Sequence, residues 1–249
     1  CATGAHNIGA AVRSIRHGYA DMALAGGSEE SVNPICIAGF ANLGALAKVD
    51  DPTQASLPFD ERRCGFVAGE GAGAVVLESL EHALARGAKP LAEITGFGST
   101  GDAYHMTAPE PSGEGIQRAM LQALSEGGFT PADLGHVNAH GTATPANDST
   151  ESHALLALCG EEEGRKVPVV SVKGSTGHTL GAAGAVEAIV TALSVANECV
   201  PPTTGFAQPD PDCPVNVLTE AKTGYPQKVA LSNSLGFGGH NAVLAISPC

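Results

Sequence analysis

Short apolar runs alternate with helical patterns along the whole chain, and 32 glycines separate them. A run of four to eight apolar residues fits a buried strand, whereas apolar residues spaced by three and four fit a helix. Regular alternation of the two predicts an α/β protein in which helices cover both faces of the sheets. In such folds ligands bind in loops beyond the strand ends. We therefore expect the functional residues in those loops.

Individual elements follow from the same pattern. Ile8, Val12 and Ile15 share one apolar stripe on a helix that Gly18 can end. Residues 22–25 have the pattern of a buried strand, and 236–239 form a loop between the last two strands. The other predicted helices begin near residues 34, 80, 115, 148 and 181, and the other predicted strands cover 74–77, 91–97, 136–139, 169–172, 228–232 and 242–246.

Composition argues against several classes of function. The net charge of -13, from 26 acidic and 13 basic side chains, would repel a nucleic-acid backbone. No stretch has the roughly 20 apolar residues of a membrane span, and the first residues show neither the basic n-region nor the apolar h-region of a signal peptide. Seven cysteines without a CxxC pair fit neither a disulfide framework nor a zinc site. We expect a metal-free protein in a reducing, cytoplasmic compartment, with no nucleic-acid or membrane partner.

The first candidate for chemistry is Cys1, at the predicted start of a helix. Unpaired N–H groups and the helix dipole at that position favour a thiolate. A small buried cysteine can equally be inert, so Cys1 alone does not establish a nucleophile.

A second candidate set follows the predicted strand at 136–139. His140 can present its ring to a cleft there, and Thr142 and Thr144 add hydroxyl donors. Asp148 and Glu151 open the next predicted helix, where the alternative is simple helix capping, since D-x-x-E resembles a capping box.

A third set, Lys173 and His178, lies between the next strand and helix. A single histidine in a polar loop is usually only solvated. Two histidines, a lysine and a cysteine, each at a strand–helix junction, instead predict one shared site. The glycine-rich stretches 69–73 and 174–181 fit neither a dinucleotide loop nor a phosphate loop, so nucleotide binding is not expected.

Six motifs occur in a fixed order along the chain: Cys1-Ala2-Thr3-Gly4, Asp102-Ala103-Tyr104-His105-Met106-Thr107, Asn138-Ala139-His140-Gly141-Thr142, Lys173 with Gly177-His178, Val200-Pro201-Pro202-Thr203, and Asn233-Ser234 before Gly236-Phe237-Gly238-Gly239. In this order, over all 249 residues, the chain resembles the β-ketoacyl-[acyl-carrier-protein] synthase II group of the thiolase-fold condensing enzymes.

The resemblance implies a thiolase-like α/β fold with αβαβα layers, built from two duplicated halves. Residues 1–88 resemble the end of the first half, with the nucleophile, and residues 89–249 resemble the complete second half, with both histidines. Family members place a segment ahead of the nucleophile. The N-terminal part of the first half is therefore expected to be absent, as if a longer polypeptide had been cut, split or renumbered. A homodimer is also implied.

The resemblance further implies a reaction. Cys1 would take an acyl chain from acyl carrier protein as a thioester. His140 and His178 would polarise the carbonyl of a malonyl thioester, so that loss of CO2 leaves a stabilised enolate. That enolate would attack the acyl group on Cys1 and release a 3-oxoacyl-carrier protein two carbons longer. No cofactor is implied, because the substrates are carried on the phosphopantetheine of acyl carrier protein.

The resemblance also counts Lys173 among the catalytic residues, with Glu151 and Asp148 in supporting roles. Lys173 would form a buried ion pair with Glu151 that holds the histidine loops in register. Backbone N–H groups of Cys1 and Phe237 would form the oxyanion hole.

The same resemblance assigns substrate contacts. Thr142 and Thr144 would receive the phosphopantetheine arm, and Phe237 would gate the acyl pocket. Gly238 and Gly239 would let the backbone approach the substrate closely.

The chain departs from the family pattern at three positions. Leu235 replaces a common phenylalanine, Gly174 a common serine, and Gly44 an arginine that in relatives often touches the carrier protein. Because the chain is strongly acidic, steering of an acidic carrier protein would need basic groups from elsewhere.

Three alternatives stay open at this point. An N-terminal nucleophile amidohydrolase would use the free amine of Cys1 as a base, but it would leave the other motifs unexplained. A non-catalytic subunit resembling a chain-length factor would lack the nucleophile. A polyketide ketosynthase shares the chemistry, and the run at 102–107 favours the fatty-acid branch only modestly.

Overall fold

The computed structural model describes all 249 residues and contains eight α-helices and ten strands. The helices are α1 (Thr3–Arg16), α2 (Pro34–Leu43), α3 (Leu80–Ala85), α4 (Glu114–Glu126), α5 (Pro145–Cys159), α6 (Glu161–Gly164), α7 (Lys173–Thr176) and α8 (Ala183–Ala196). The strands are β1 (Met22–Glu29), β2 (Gly71–Glu78), β3 (Glu93–Gly101), β4 (Leu134–Asn138), β5 (Pro168–Val170), β6 (Cys199–Val200), β7 (Asn216–Val217), β8 (Lys222–Thr223), β9 (Val229–Gly236) and β10 (His240–Ser247). Short 3-10 turns cover Pro52–Gln54, Pro131–Asp133 and Leu180–Ala182.

The central sheet has six strands in the order β3-β10-β9-β4-β5-β7. Strands β9, β4, β5 and β7 run parallel, whereas β10 is antiparallel to both β3 and β9. The carboxyl ends of β4, β5 and β9 therefore meet at one edge of the sheet. Two smaller antiparallel pairs, β1-β2 and β6-β8, complete the strands.

Helices α1 and α8 lie between the central sheet and the β1-β2 pair, while α4 and α5 cover the opposite face of the central sheet. The apolar stripe predicted from Ile8 and Val12 is buried in this central layer, where it packs with Ala185, Ala188 and Leu244. The second core cluster joins α4 and α5 to the sheet through Ile116, Met120, Leu155, Val137 and Leu231.

The two central helices approach each other closely at two glycines. A Cβ atom on Gly4 would lie 2.5 Å from the backbone nitrogen of Ala185, and one on Gly184 would lie 2.6 Å from the backbone nitrogen of Ala5. Any larger residue would push the helices apart. This contact places the start of α1, and with it Cys1, against the start of α8.

Most of the predicted elements are present, and their ends differ by a few residues. Helix α1 ends as predicted before Gly18, which has a φ of 74°. Helix α5 begins at Pro145 rather than at Asp148, because proline suits the first turn of a helix. Asp148 and Glu151 therefore lie inside α5 with buried side chains, and the capping alternative is wrong.

The prediction of a buried strand at 22–25 is correct for the strand but wrong for its burial. Met22 is 54% exposed and Leu24 is 76% exposed. Helices α1 and α8 cover one face of the β1-β2 pair, and the side chains of the other face remain in solvent. The expectation that every sheet is covered on both faces holds for the central sheet only.

His136, on β4, is a fully buried histidine outside the loops that carry the candidate residues. Its Nδ1 contacts Oε1 of Gln227, and its Nε2 has no hydrogen-bond partner. Burial lowers the pKa of His136 to about 4. In the unfolded chain a histidine has a pKa of about 6.5, so below that pH the unfolded state binds a proton that the folded state excludes.

Stability should therefore fall as the pH drops from about 6.5 to about 4, and His136 should account for about 3 kcal/mol of that loss. We expect His136→Phe to flatten this part of the pH profile, measured by urea unfolding between pH 4 and pH 8. His153→Phe is the matched control, because His153 is exposed on α5. An unchanged pH slope in His136→Phe would contradict the prediction.

Candidate active site

A cavity of about 320 Å³ lies at the sheet edge where the loops after β4, β5 and β9 meet. Its wall includes Cys1, His140, Thr142, Thr144, His178 and Phe237. They come from four separate parts of the sequence. The parallel arrangement of β4, β5 and β9 brings together the loops that carry His140, His178 and Phe237, and the packing of α1 against α8 adds Cys1. The structure thus places the three candidate sets around one cavity.

Cys1 is half-buried and lies two residues before the first residue of α1. No side chain caps this helix, and the first backbone N–H to find a partner is that of His6, which donates to the carbonyl of Ala2. The first turn also contains no acidic residue. The positive end of the helix dipole is therefore free to stabilise an anion at the cysteine.

The turn after β9 lies beside Cys1. A Cβ atom on Gly236 would lie 3.5 Å from the nitrogen of Cys1. In this turn the Gly238 N–H donates to the carbonyl of Met106 at 2.7 Å, whereas the N–H of Phe237 has no partner. The Phe237 N–H, a backbone donor without a partner, therefore comes directly after Gly236, which lies beside Cys1.

His140 and His178 form an edge-to-face pair with ring centroids 5.1 Å apart. The Nδ1 atom of His140 lies 3.3 Å from the Lys173 ammonium, and Nδ1 of His178 accepts a hydrogen bond from the Leu180 N–H at 3.3 Å. Both Nδ1 atoms therefore act as acceptors, which assigns the ring proton of each histidine to Nε2.

Both imidazoles are neutral at physiological pH. Burial lowers the pKa of His140 well below its ordinary value, and the positive charge of Lys173 lowers it further. The same two causes lower the pKa of His178. Each ring can therefore donate a hydrogen bond through Nε2–H without readily giving up a proton as an imidazolium would.

The ion pair predicted between Lys173 and Glu151 is wrong, because Lys173 pairs instead with Glu187 on α8. Both side chains of this pair are 2% exposed. Lys173 does not line the cavity, and it reaches the site only through Nδ1 of His140. It is therefore a positioning residue that fixes the tautomer and charge of His140.

Glu151 holds the histidine loop through its backbone. One carboxylate oxygen accepts from the His140 N–H at 2.8 Å and the other from the Gly141 N–H at 3.0 Å. The side-chain amide of Asn233 donates to the same carboxylate at 3.0 Å. The loop needs this support because Ala143 has a φ of 66°, a left-handed conformation that is costly for a residue with a side chain.

Asp148 ties α5 to the segment before the cavity. Its carboxylate accepts from the Phe59 N–H at 2.8 Å and lies 3.9 Å from Nε of Arg63. Burial raises the pKa of Asp148 to about 6. Asp148 does not line the cavity, which limits it to a supporting role.

Thr142 and Thr144 form a polar patch on the cavity wall. Their hydroxyl oxygens are 2.9 Å apart, so one hydroxyl donates to the other. The remaining hydroxyl proton is free to donate to a ligand.

Two residues that act on the histidines were not predicted from the sequence. Phe66 packs edge-on against His178, with ring centroids 5.3 Å apart, and also lines the cavity. Glu187 anchors Lys173. One signal for Glu187 was available, because it is the only charged residue of α8 and lies among apolar residues, where a buried charge requires a partner.

Two departures from the family pattern have structural counterparts. A Cβ atom on Gly174 would lie 2.1 Å from the carbonyl oxygen of Thr204, so only glycine fits there. Leu235 is buried and lines the cavity, where it leaves more space than a phenylalanine would.

Comparison with known proteins gives the family. Residues 1–83 match the N-terminal domain of β-ketoacyl synthases, and residues 91–207 match the C-terminal domain. The 3-oxoacyl-[acyl-carrier-protein] synthase 2 of Synechocystis sp. is 47% identical over 246 residues, and that of Staphylococcus aureus strain COL is 48% identical over 244 residues. Each alignment covers 98% of this chain, and the chain spans 59% of the length of each relative.

Solved structures agree. A type II polyketide ketosynthase in complex with its acyl-carrier protein superposes with a TM-score of 0.96 at 38% identity, over 100% of this chain and 61% of the other. A β-ketoacyl synthase from Burkholderia phymatum superposes with a TM-score of 0.94 at 40% identity, over 100% of this chain and 60% of the other. The predicted thiolase-like α/β fold is confirmed, and the amidohydrolase alternative is wrong. The chain belongs to the β-ketoacyl synthase family.

Proposed function

We propose that this site carries out the decarboxylative condensation of fatty-acid elongation, as a 3-oxoacyl-[acyl-carrier-protein] synthase. One observation carries the proposal: a cysteine at a helix start and two neutral histidines, both with the proton on Nε2, line the same cavity. Such a set combines a nucleophile with two donors for a developing oxyanion.

In the first half-reaction the thiolate of Cys1 attacks the carbonyl carbon of an acyl thioester. The carbonyl oxygen becomes an oxyanion, which accepts hydrogen bonds from the free N–H of Phe237 and from the nitrogen of Cys1. The carbon–sulfur bond to the arm then breaks, the arm leaves as a thiolate that takes up a proton, and the acyl group remains on Cys1.

In the second half-reaction the carbonyl oxygen of a malonyl thioester accepts from Nε2–H of His140 and of His178. The bond to the carboxylate breaks, CO2 leaves, and its electron pair forms an enolate that the two donors stabilise. Neutral imidazoles are weak acids, so the enolate survives long enough to attack the acyl carbonyl on Cys1. Cys1 leaves as a thiolate, and the product is a 3-oxoacyl thioester two carbons longer.

The carrier arm and the carrier protein belong to the same proposal. Thr142 and Thr144 present a hydroxyl donor to the arm, and Phe237, which is 40% exposed, stands at the cavity as a gate. Gly238 and Gly239, with φ values of 89° and 78°, give the gate its tight turn. Acyl carrier protein is the proposed partner, and no further cofactor is needed because the carrier arm holds the substrate as a thioester. One structural relative is a ketosynthase in complex with its acyl-carrier protein.

We also propose a domain organisation, an oligomeric state and a cellular location for the protein. Residues 1–88 and 89–249 would form the two thiolase-like parts, in keeping with the β1-β2 pair before residue 88 and the central sheet after it. We further propose a homodimer in the cytoplasm. None of the helices is long and apolar enough to span a membrane.

A polyketide ketosynthase is the second candidate, since the solved relatives include a type II polyketide ketosynthase at 38% identity and a ketosynthase/chain length factor at 40% identity. The fatty-acid assignment has the stronger support, because relatives named 3-oxoacyl-[acyl-carrier-protein] synthase 2 reach 47% and 48% identity.

The test is a two-substrate assay with the purified protein. Octanoyl-carrier protein and malonyl-carrier protein should give 3-oxodecanoyl-carrier protein and CO2, detected by intact-mass analysis and by release of labelled CO2. Replacing the octanoyl group with a 3-oxoacyl group distinguishes the fatty-acid enzyme from the polyketide enzyme. Only a polyketide ketosynthase should extend this second substrate, because repeated condensation without reduction is the polyketide reaction. Absence of any condensation product would contradict both.

A further inference from the structure

Asn147 is a cavity residue to which the proposed reaction gives no role. It lies in the first turn of α5, three residues after Thr144, and it is only 7% exposed. Its remaining surface opens into the cavity that contains Cys1. A buried carboxamide on a cavity wall costs free energy unless it finds a hydrogen-bond partner.

The orientation of this carboxamide is fixed. Its Nδ2 donates to Oδ1 of Asp148 at 3.0 Å. Asp148 is itself held by the Phe59 N–H at 2.8 Å and faces Arg63. Since the amide group is planar, Oδ1 of Asn147 points away from that carboxylate, and it accepts no hydrogen bond from the protein.

Asn147 and Thr144 offer complementary groups on one face of the helix, because residues three apart in a helix are neighbours. The threonine pair has a hydroxyl proton free to donate, and Asn147 has an oxygen free to accept. A secondary amide needs one donor for its carbonyl and one acceptor for its N–H. The cavity lining also includes Phe40, Leu43 and Phe66, whose apolar side chains suit an acyl chain instead.

We propose that Asn147 is a specificity-determining residue that accepts a hydrogen bond from an amide N–H of the carrier arm. The inference rests on the proposed function, since it assumes that an amide-bearing arm enters this cavity. The same acceptor could bind a hydroxyl group on the acyl chain, so the test includes a probe for each source.

The test measures binding, which does not depend on the chemical step. The first probe is the octyl thioether of N-acetylcysteamine, which carries one secondary amide and cannot transfer an acyl group. The second is the octyl thioether of 2-mercaptoethyl acetate, in which an ester oxygen replaces the N–H and the carbonyl stays. The two probes differ only in the donor that Asn147 would bind.

For the unmodified protein we expect calorimetry to show that the amide probe binds roughly 3- to 12-fold more tightly than the ester probe, as for one ordinary hydrogen bond. In Asn147→Leu, which has a similar volume, this preference should disappear. Asn147→Asp keeps an oxygen acceptor and should retain it. Thermal unfolding of each variant shows whether the fold is intact, and the ratio of two affinities within one variant does not depend on its stability.

A preference that persists in Asn147→Leu would overturn the proposal, as would failure of the unmodified protein to distinguish or bind the probes. A third probe, the 3-hydroxyoctyl thioether of N-acetylcysteamine, tests the other source. If Asn147→Leu loses preference for the hydroxyl but keeps preference for the amide, the assignment to the arm is wrong. The condensation assay tests the proposed function separately, so failure of either is recognised on its own.

Discussion

Replacing Cys1 with alanine is expected to abolish acyl transfer and to leave the fold intact. Of the two cysteine thiols that line the cavity, only that of Cys1 lies at the positive end of a long helix, beside the unused N–H of Phe237. Loss of such a nucleophile reduces turnover by a factor on the order of 10³ or more. Cys1 is half-buried and its side chain makes no hydrogen bond, so the loss of stability should be small.

Intact-mass analysis after incubation with octanoyl-carrier protein checks this prediction. The unmodified protein should gain one acyl group, and Cys1→Ala should gain none. Cys64→Ala is the matched control, because Cys64 lines the same cavity but is exposed and lies away from a helix start. An acyl group on Cys1→Ala would show that another residue is the nucleophile.

The positions of the site residues could be predicted from sequence because they depend on strand order along the chain. His140 and Lys173 each follow a strand of the central sheet, and Cys1 lies just before a helix whose apolar stripe is regular. Parallel strands bring their carboxyl ends to one edge, so residues in these loops necessarily become neighbours. The location of the site at this edge of the sheet could therefore be predicted once the strands were recognised.

The partners of those residues could not be predicted in the same way. Glu151 and Glu187 are both buried acids on helices near the histidine loops, and sequence does not show which one faces Lys173. The structure gives Glu187 the lysine and gives Glu151 the backbone N–H groups of His140 and Gly141. The choice depends on how α5 and α8 sit against the sheet, which is a matter of tertiary packing.

The exposure of the side chains of β1 also could not be predicted from the sequence pattern. Leu24 lies in a run typical of a buried strand, yet it is 76% exposed. Periodicity reports which side chains are apolar, and it cannot report whether an element is available to cover them. The pattern therefore predicted the strand correctly but overestimated the burial of its side chains.

The largest effect after that of Cys1 is expected from the two histidines. His140→Ala and His178→Ala should each reduce malonyl decarboxylation by a factor on the order of 10² to 10³, because each removes one preorganised donor for the enolate oxygen. Transfer of an acyl group to Cys1 should persist in both variants, since the oxyanion hole that we propose for that step consists of backbone nitrogen atoms. The two half-reactions should therefore separate.

Release of labelled CO2 from malonyl-carrier protein measures the second step, and intact mass measures the acyl group on Cys1. His153→Ala is the control, because His153 is exposed on α5 and hydrogen-bonds only within its own helix. Lys173→Met sharpens the assignment, since removing the cation should raise the pKa of His140 and shift the acid limb of the decarboxylation profile to higher pH. Undiminished CO2 release in both alanine variants would mean that the enolate is stabilised elsewhere, and the neutral Nε2–H donors would then lose their role.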